Sequence, residues 1–316
     1  MTKSSKPKVV AIIGATATGK TAVGVELALE MGGEVVNGDS RLFYRGMDVA
    51  TAKPSLNETK GVRHHLIDFL EPSDRFSLAD YLERAKAAIE DITTRRKVPI
   101  LVGGSGQYVW ALLEGWDVPK IEPDIALRNE LESVLRDEGV ESLSARLEKM
   151  APDVAAATDL KNQRRVIRAI ERIESGQTDG VSSRNKADEP PFDARIIGLS
   201  VERAVLHERV VSRLNSMLES GWVAEVESLL AAGYSSDDYA MSGIGYRQMI
   251  GHMAGEYDFE EAVRLTVVAT NRLIRHQNNW FKHDDARITW YDMGNQAKQS
   301  TESIISDTLK WLESRV

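Results

Sequence analysis

The residues best suited to chemistry stand near the start of the chain, in the run Gly14-Ala15-Thr16-Ala17-Thr18-Gly19-Lys20-Thr21. Its G-x-x-x-x-G-K-T spacing makes a phosphate cradle when a strand precedes it and a helix follows. The glycines let backbone amides close on phosphate oxygens, and the helix N-terminus adds favourable potential. Lys20 supplies a positive charge, and Thr21 offers a hydroxyl to Mg²⁺. A di- or triphosphate is the expected ligand. The motif does not separate a kinase or an NTPase from an enzyme that uses diphosphate as a leaving group. The run Val98 to Val102 ends in Gly103-Gly104-Ser105-Gly106, where ATP hydrolysis would call for an Asp, and no N-K-x-D guanine-reading sequence is expected. ATP or GTP hydrolysis is therefore weakly supported.

The second chemical group is Asp39, within Asn37-Gly38-Asp39-Ser40-Arg41. It follows a β-rich run, at the sheet edge where open α/β folds bind ligands. A carboxylate there can ligate magnesium, act as general base toward an acceptor, or cap the next turn. Spacing alone leaves these open. The His64-His65 pair is not expected to hold a metal, because neighbours on a strand point to opposite faces and no second pair stands at zinc spacing. The six tryptophans are scattered and most are expected to pack in the core or between helices, with an RNA or lid role open for Trp280-Phe281 at the end of a basic helix.

Elements must exist to position these groups. Val9 to Ile13, Glu34 to Asn37, His65 to Phe69, Val98 to Val102, Arg195 to Leu199 and Ile288 to Tyr291 read as strands. Between and after them, helical spacing runs over Lys20 to Met31, a helix opened by Ser77 and Asp80 and reaching toward Arg95, and Arg203 to Ser220. Further stretches cover Val223 to Ala232, Gly245 to Met253, Glu260 to Phe281 and Ile304 to Leu312. Strands alternating with helices predict an α/β fold with a doubly wound parallel sheet, of the P-loop NTPase-like kind. From Asp124 to about Ser175 only helical periodicity is present, followed by a polar linker over Gln177 to Pro191. The expected division is a P-loop core of residues 1–118 and 195–316 with C-terminal helices, carrying an all-helical insertion over 119–194.

The 316 residues carry a net charge of −8 and no cysteine. This excludes disulfides, a thiol nucleophile and Cys-ligated metals, and fits a reducing cytoplasm. It also argues against indiscriminate nucleic-acid binding, so any RNA partner must meet a local basic patch. Such a patch lies in the insertion, where Lys161 to Glu174 holds five Lys/Arg against two Glu. Arg164, Arg168 and Arg172 recur at four-residue spacing beside Arg165, opposite an apolar stripe of Val166, Ala169, Ile170 and Ile173. By its residues alone that face reads first as a solvated helix laced by Glu171 and Glu174, and second as a surface for RNA phosphates. No apolar run approaches the ~18 residues of a membrane span, and no signal peptide is expected.

Taken in order, these motifs resemble the tRNA dimethylallyltransferases over nearly the whole length. The resemblance rests on the run 14–21, Gly38-Asp39-Ser40-Arg41 with Phe43-Tyr44, Asp48-Val49-Ala50-Thr51-Ala52-Lys53-Pro54, and His64 to Asp68. It continues through Phe76 to Tyr81, Gly103 to Tyr108, Arg168 to Glu171, Leu206 to Val210, Gly243 to Arg247, and Arg272 through Gln277 to Phe281. It implies transfer of a dimethylallyl group from dimethylallyl diphosphate to N6 of the adenosine 3′ to the anticodon (position 37) of tRNA, without ATP being spent. It implies that Thr16, Thr18, Lys20 and Thr21 hold the diphosphate with Mg²⁺, with Asp39 as general base. Arg209, ahead of Arg203, would help bind diphosphate. Ser40, Arg41, Ser105 (a hydroxyl where the family usually has Thr), Arg128, Arg164, Arg165 and Arg168 would meet the tRNA. Leu42 replaces the family's usual Gln and removes a polar RNA contact. A cytoplasmic monomer is the expectation. A MgATP-dependent nucleotide kinase and a non-catalytic RNA-binding P-loop protein are the rival readings.

Overall fold

The computed structural model describes residues 6–120, 124–176 and 186–314. Its sheet is wholly parallel, with strand order β3-β2-β4-β1-β5-β6. The strands are β1 (Lys8–Gly14), β2 (Glu34–Asn37), β3 (His64–His65), β4 (Pro99–Val102), β5 (Asp193–Ser200) and β6 (Ile288–Asp292). β1 and β4 are buried apolar runs, and β2 is buried throughout with Glu34 and Asn37 at its ends. Helices α1 (Lys20–Met31), α2 (Leu56–Thr59), α3 (Leu78–Thr94) and α4 (Gly106–Leu113) connect the first half. Ser77 and Asp80 form a reciprocal capping box at the start of α3, as the sequence predicts. One core cluster joins Val10, Ile12, Val23, Leu27, Ile100 and Val102 with Ile197 and Leu199.

The third strand is shorter than expected. It ends at His65 because Leu66 and Asp68 take left-handed backbone angles (φ 62° and 57°), which no strand accommodates. The Asn37 side chain donates to the Leu66 carbonyl at 2.9 Å and fixes that turn against β2. His65 meets Glu34 at 2.7 Å. Glu34 is 2 % exposed and also accepts from Arg95 at 2.5 Å and Lys97 at 2.8 Å. The Arg95 hydrogen bond, ahead of its other partners, holds the Glu34 carboxyl well below the usual carboxylate range. His65 thus belongs to a structural polar cluster around Glu34, while His64 Nδ1 meets the Val62 carbonyl at 2.9 Å.

The chain divides into two compact units, Met1–Gly115 with Ala187–Val316, and Trp116–Lys186. The return to the first unit is marked by the Ala187 N–H, which donates to the Gly115 carbonyl at 3.1 Å. Of the polar linker expected over 177–191, residues 177–185 lie outside the described residues. The expectation of no N-K-x-D is corrected by the chain itself, since Asn185-Lys186-Ala187-Asp188 spells it; Asn185 lies outside the described residues, and Lys186 to Asp188 precede β5.

The second unit contains α5 (Ile125–Glu138), α6 (Val140–Met150), α7 (Pro152–Ala156) and α8 (Gln163–Glu174). Leu131, Leu143, Leu147, Val166 and Ile170 form its own core. The C-terminal part of the first unit adds α9 (Arg203–Glu219), α10 (Trp222–Ala231), a 3₁₀ turn (Ala240–Ser242), α11 (Tyr246–Met253), α12 (Phe259–Trp280) and α13 (Ala297–Glu313).

Candidate active site

The run 14–21 leaves the C-terminal end of β1 and enters α1, the geometry a phosphate cradle needs. Gly14 cannot be replaced there, because a Cβ would sit 2.5 Å from the Leu199 carbonyl oxygen. Ala17 adopts φ 63°, a left-handed strain of the kind concentrated at ligand-binding loops. Thr18 is 1 % exposed and donates to the Ala15 carbonyl at 2.8 Å, so its hydroxyl shapes the loop from within. Lys20 Nζ donates to the same carbonyl at 2.6 Å. Burial pushes the Lys20 ammonium down to about 8, with the Asp39 charge opposing and Arg213 reinforcing the shift. Thr21, the second residue of α1, is exposed.

Asp39 follows β2, two strands from β1 across β4. The Asn37 carboxamide grips it on both sides, accepting from the Asp39 N–H at 2.8 Å and donating to the Asp39 carbonyl at 2.9 Å. One carboxylate oxygen, Oδ1, accepts from the Arg41 N–H at 3.0 Å. Asp39 is therefore a turn cap, and that bond aims its carboxylate. Its charge acts on both Lys20 and Arg213, so a carboxylate and two cations share the C-terminal edge of the sheet. Among the described residues no group of three His, Cys, Asp or Glu side chains could hold a metal alone.

Two glycine-bearing loops close beside Asp39. A Cβ on Gly103 would lie 2.3 Å from the Gly38 carbonyl oxygen, so both loop backbones can meet only with glycine there. The contact brings Ser105 Oγ to the Ser40 N–H at 3.2 Å. Arg41 extends to the 3₁₀ turn, donating to the Tyr239 and Ala240 carbonyls at 3.4 Å and lying 5.3 Å from the Tyr239 ring centroid.

The following loop is held by a carboxylate that sequence reasoning missed. Glu225 on α10 accepts from the N–H groups of Asp48 and Val49 at 2.7 Å, Ala50 at 3.2 Å, and the Tyr246 hydroxyl at 2.6 Å. Lys53 donates to the Tyr44 carbonyl at 2.7 Å and to the carboxylates of Asp48 and Asp68. The motifs 48–54 and 243–247 are thus brought together as scaffold. No spacing rule points to Glu225, since its partners are backbone amides more than 170 residues away.

The arginines of α9 fall in three different places. Arg209 Nη2 donates to the Met293 carbonyl at 2.6 Å, tying α9 to the end of β6. Arg203 is the exposed first residue of the helix, about 15 Å along the axis from Arg213 at 1.5 Å per residue. Arg213 is the one that reaches the cradle, with Nη1 3.3 Å from Thr16 Oγ1. Burial lowers its guanidinium below the usual range while Asp39 opposes the shift. Arg209 and Arg213 are four residues apart on one helix face, so the sequence could place either one. Val205, Glu208, Arg209, Ser212 and Arg213 line an open hollow of about 360 Å³.

In the second unit, Arg128 of α5 forms a two-pronged pair with Glu171 of α8, its Nε 2.5 Å from Oε1. Arg146 reaches Glu174 at 3.2 Å. The two glutamates that could have laced the arginine face are engaged across helices, and Arg164, Arg165 and Arg168 stand exposed near the N-terminal end of α8.

Fold and site together define a P-loop α/β protein in which the Asp39 charge acts on Lys20 and Arg213 beside the glycine-bearing loop. The family model described as IPP transferase matches residues 42–284. The tRNA dimethylallyltransferase of Corynebacterium diphtheriae is 41% identical over 94% of this chain and 98% of its own. That of Thermomicrobium roseum is 41% identical over 92% and 88%. The crystal structure of the tRNA isopentenylpyrophosphate transferase from Bacillus halodurans is 38% identical, with TM-score 0.74 over 98% of this chain and 97% of that one. A eukaryotic dimethylallyltransferase structure, 22% identical with TM-score 0.79, shares the fold. The chain belongs to the IPP transferase family.

Proposed function

We propose that this chain transfers a dimethylallyl group from dimethylallyl diphosphate to tRNA and releases diphosphate, with N6 of the adenosine 3′ to the anticodon as the acceptor. The observation that carries the reading is the Asp39 carboxylate set beside a cradle bearing Lys20 and Arg213. The exocyclic amine of adenine is a poor nucleophile, its lone pair being delocalised into the ring. Asp39 accepts a proton from that amine as the nitrogen bonds to the allylic carbon and the carbon–oxygen bond to diphosphate breaks. Negative charge grows on the leaving group, where amides of the run 14–21, Lys20 and Arg213 stabilise it.

Magnesium fits this donor set. Mg²⁺ keeps several waters and binds through few protein groups plus phosphate oxygens, and Thr21, exposed at the start of α1, is the hydroxyl that would hold it. When bound, the ion would neutralise phosphate charge.

The acceptor base must leave its loop to reach such a site, at a cost of a few kcal/mol that is smallest for an unpaired loop. Ser40, Arg41 and Ser105 flank the carboxylate and would receive it. Arg164, Arg165 and Arg168 would meet RNA phosphates. Arg128, paired with Glu171, takes part in RNA contact only by exchanging that partner for a phosphate. No helix among the described residues is long and apolar enough to cross a membrane. A tRNA substrate supports a cytoplasmic location.

Incubation with labelled dimethylallyl diphosphate and unmodified tRNA tests the reading. Label in the RNA is the expected result. Phosphorylation of a nucleoside from MgATP, with no label in RNA, would replace this reading with a kinase.

A further inference from the structure

A phosphate cradle works through backbone N–H groups that converge on oxygens. In this loop one of them is already taken. The Thr16 N–H donates to Gln277 Oε1 at 2.8 Å, and the same carboxamide's Nε2 donates to the Gly104 carbonyl at 3.1 Å. Gln277 is 5 % exposed, on the last turn of α12. Both ends of a buried carboxamide are therefore used, which fixes its orientation and joins the cradle to the turn that carries Ser105.

The neighbouring glycines show how closely α12 is seated on that turn. A Cβ on Gly104 would lie 2.4 Å from Gln277 Nε2, and one on Gly106 would lie 2.3 Å from Trp280 Cβ. The Thr16 hydroxyl is engaged as well, by Arg213. Thr16 is thus held at its amide by α12 and at its hydroxyl by α9. The first half of the loop faces protein groups, and its helix end, with Gly19, Lys20 and Thr21, remains for phosphate.

A chain of two phosphates fits over the helix end alone. A third must extend toward the first half of the loop, where it meets Gln277 and finds the Thr16 amide occupied. We propose that Gln277 is a positioning and specificity-determining residue, which shapes this P-loop for a diphosphate, disfavours a triphosphate, and sets the Ser105 turn relative to the cradle. The inference rests on the diphosphate reading of the cradle given above.

The test uses the full chain with inorganic diphosphate and inorganic triphosphate as calorimetric probes, so that it does not depend on prenyl transfer. Gln277→Met keeps the side-chain length and removes both hydrogen bonds. Gln277→Glu keeps an acceptor for the Thr16 N–H. Gly104→Ala leaves Gln277 in place but forces its carboxamide to shift. The wild type is expected to bind diphosphate at least tenfold more tightly than triphosphate. Gln277→Met and Gly104→Ala are each expected to bind diphosphate about tenfold more weakly and to lose most of that preference, whereas Gln277→Glu keeps it.

In steady-state assays the loss in KM for the prenyl diphosphate should exceed any loss of tRNA affinity, which a general structural defect would not produce. A wild type that binds triphosphate as tightly as diphosphate overturns the inference. So does a cooperatively melting Gln277→Met or Gly104→Ala protein with unchanged affinity and preference. Failure of label to enter tRNA, with the probe pattern intact, would sink the functional reading and leave this one standing.

Discussion

The cradle and the arginine face of α8 are both cationic, and they are built in opposite ways. In the cradle, Lys20, Thr16 and Arg213 are each bonded to a neighbour within the first unit. Burial lowers both cations from their ordinary range. On α8, Arg164, Arg165 and Arg168 are exposed, and the glutamates of that helix are spent on Arg128 and Arg146. The difference teaches that the first region is organised before its ligand arrives, so a small misplacement there costs much in rate. The second offers charge in water, where each contact is weak, screened by salt and replaceable.

Four variants would break or sharpen this contrast. Asp39→Asn keeps the cap to the Arg41 N–H and removes the base. It is expected to lower kcat by roughly 10²–10⁴ while diphosphate affinity measured by calorimetry changes little. A large loss of affinity with near-normal turnover would remove Asp39 from the role of base.

Next in size, Arg213→Ala is expected to lower kcat/KM by about 10²–10³, the usual loss when a preorganised donor to a developing anion is deleted. Arg209→Ala should act through stability instead, by freeing the Met293 carbonyl, with a lower melting temperature and kcat within a few-fold of wild type. The reverse pattern would return the diphosphate contact to Arg209.

The smallest effect per residue is expected on α8. Replacing Arg164, Arg165 and Arg168 together by Ala should weaken tRNA binding about tenfold at low salt. It should also flatten the slope of log K against log salt by roughly 2, at about 0.7 per contact to single-stranded RNA. The KM for the prenyl diphosphate should stay unchanged. An unaltered salt slope would make this face a merely solvated one.

Much of the frame was legible from residue types alone. The Gly-Lys-Thr run announced both a strand and a helix, and Ser77 with Asp80 announced the start of α3, because capping chemistry is local. The end of β3 was not legible, since Leu66 and Asp68 carry no mark of left-handed backbone. Nor was α4, whose first residue is a glycine that reads as a turn. It is glycine because Trp280, far along the chain, leaves no room for a Cβ. The site shows the same division. Asp39 was found because it follows a strand in the right order, while Arg209 was preferred over Arg203 and Arg213 went unnoticed, because no local rule marks it.

By itself, then, the sequence determined what depends on neighbours within a few residues: a phosphate loop, a carboxylate at a strand end, a run of arginines on one helix face, and a helical insertion between β4 and β5. Tertiary structure alone decided which arginine of α9 meets Thr16, that Gln277 closes over the same residue, and that Glu225 gathers three amides of the 48–50 loop. Each of these joins groups well over 100 residues apart, and a hydrogen bond across that separation leaves no period, cap or spacing in the chain to read.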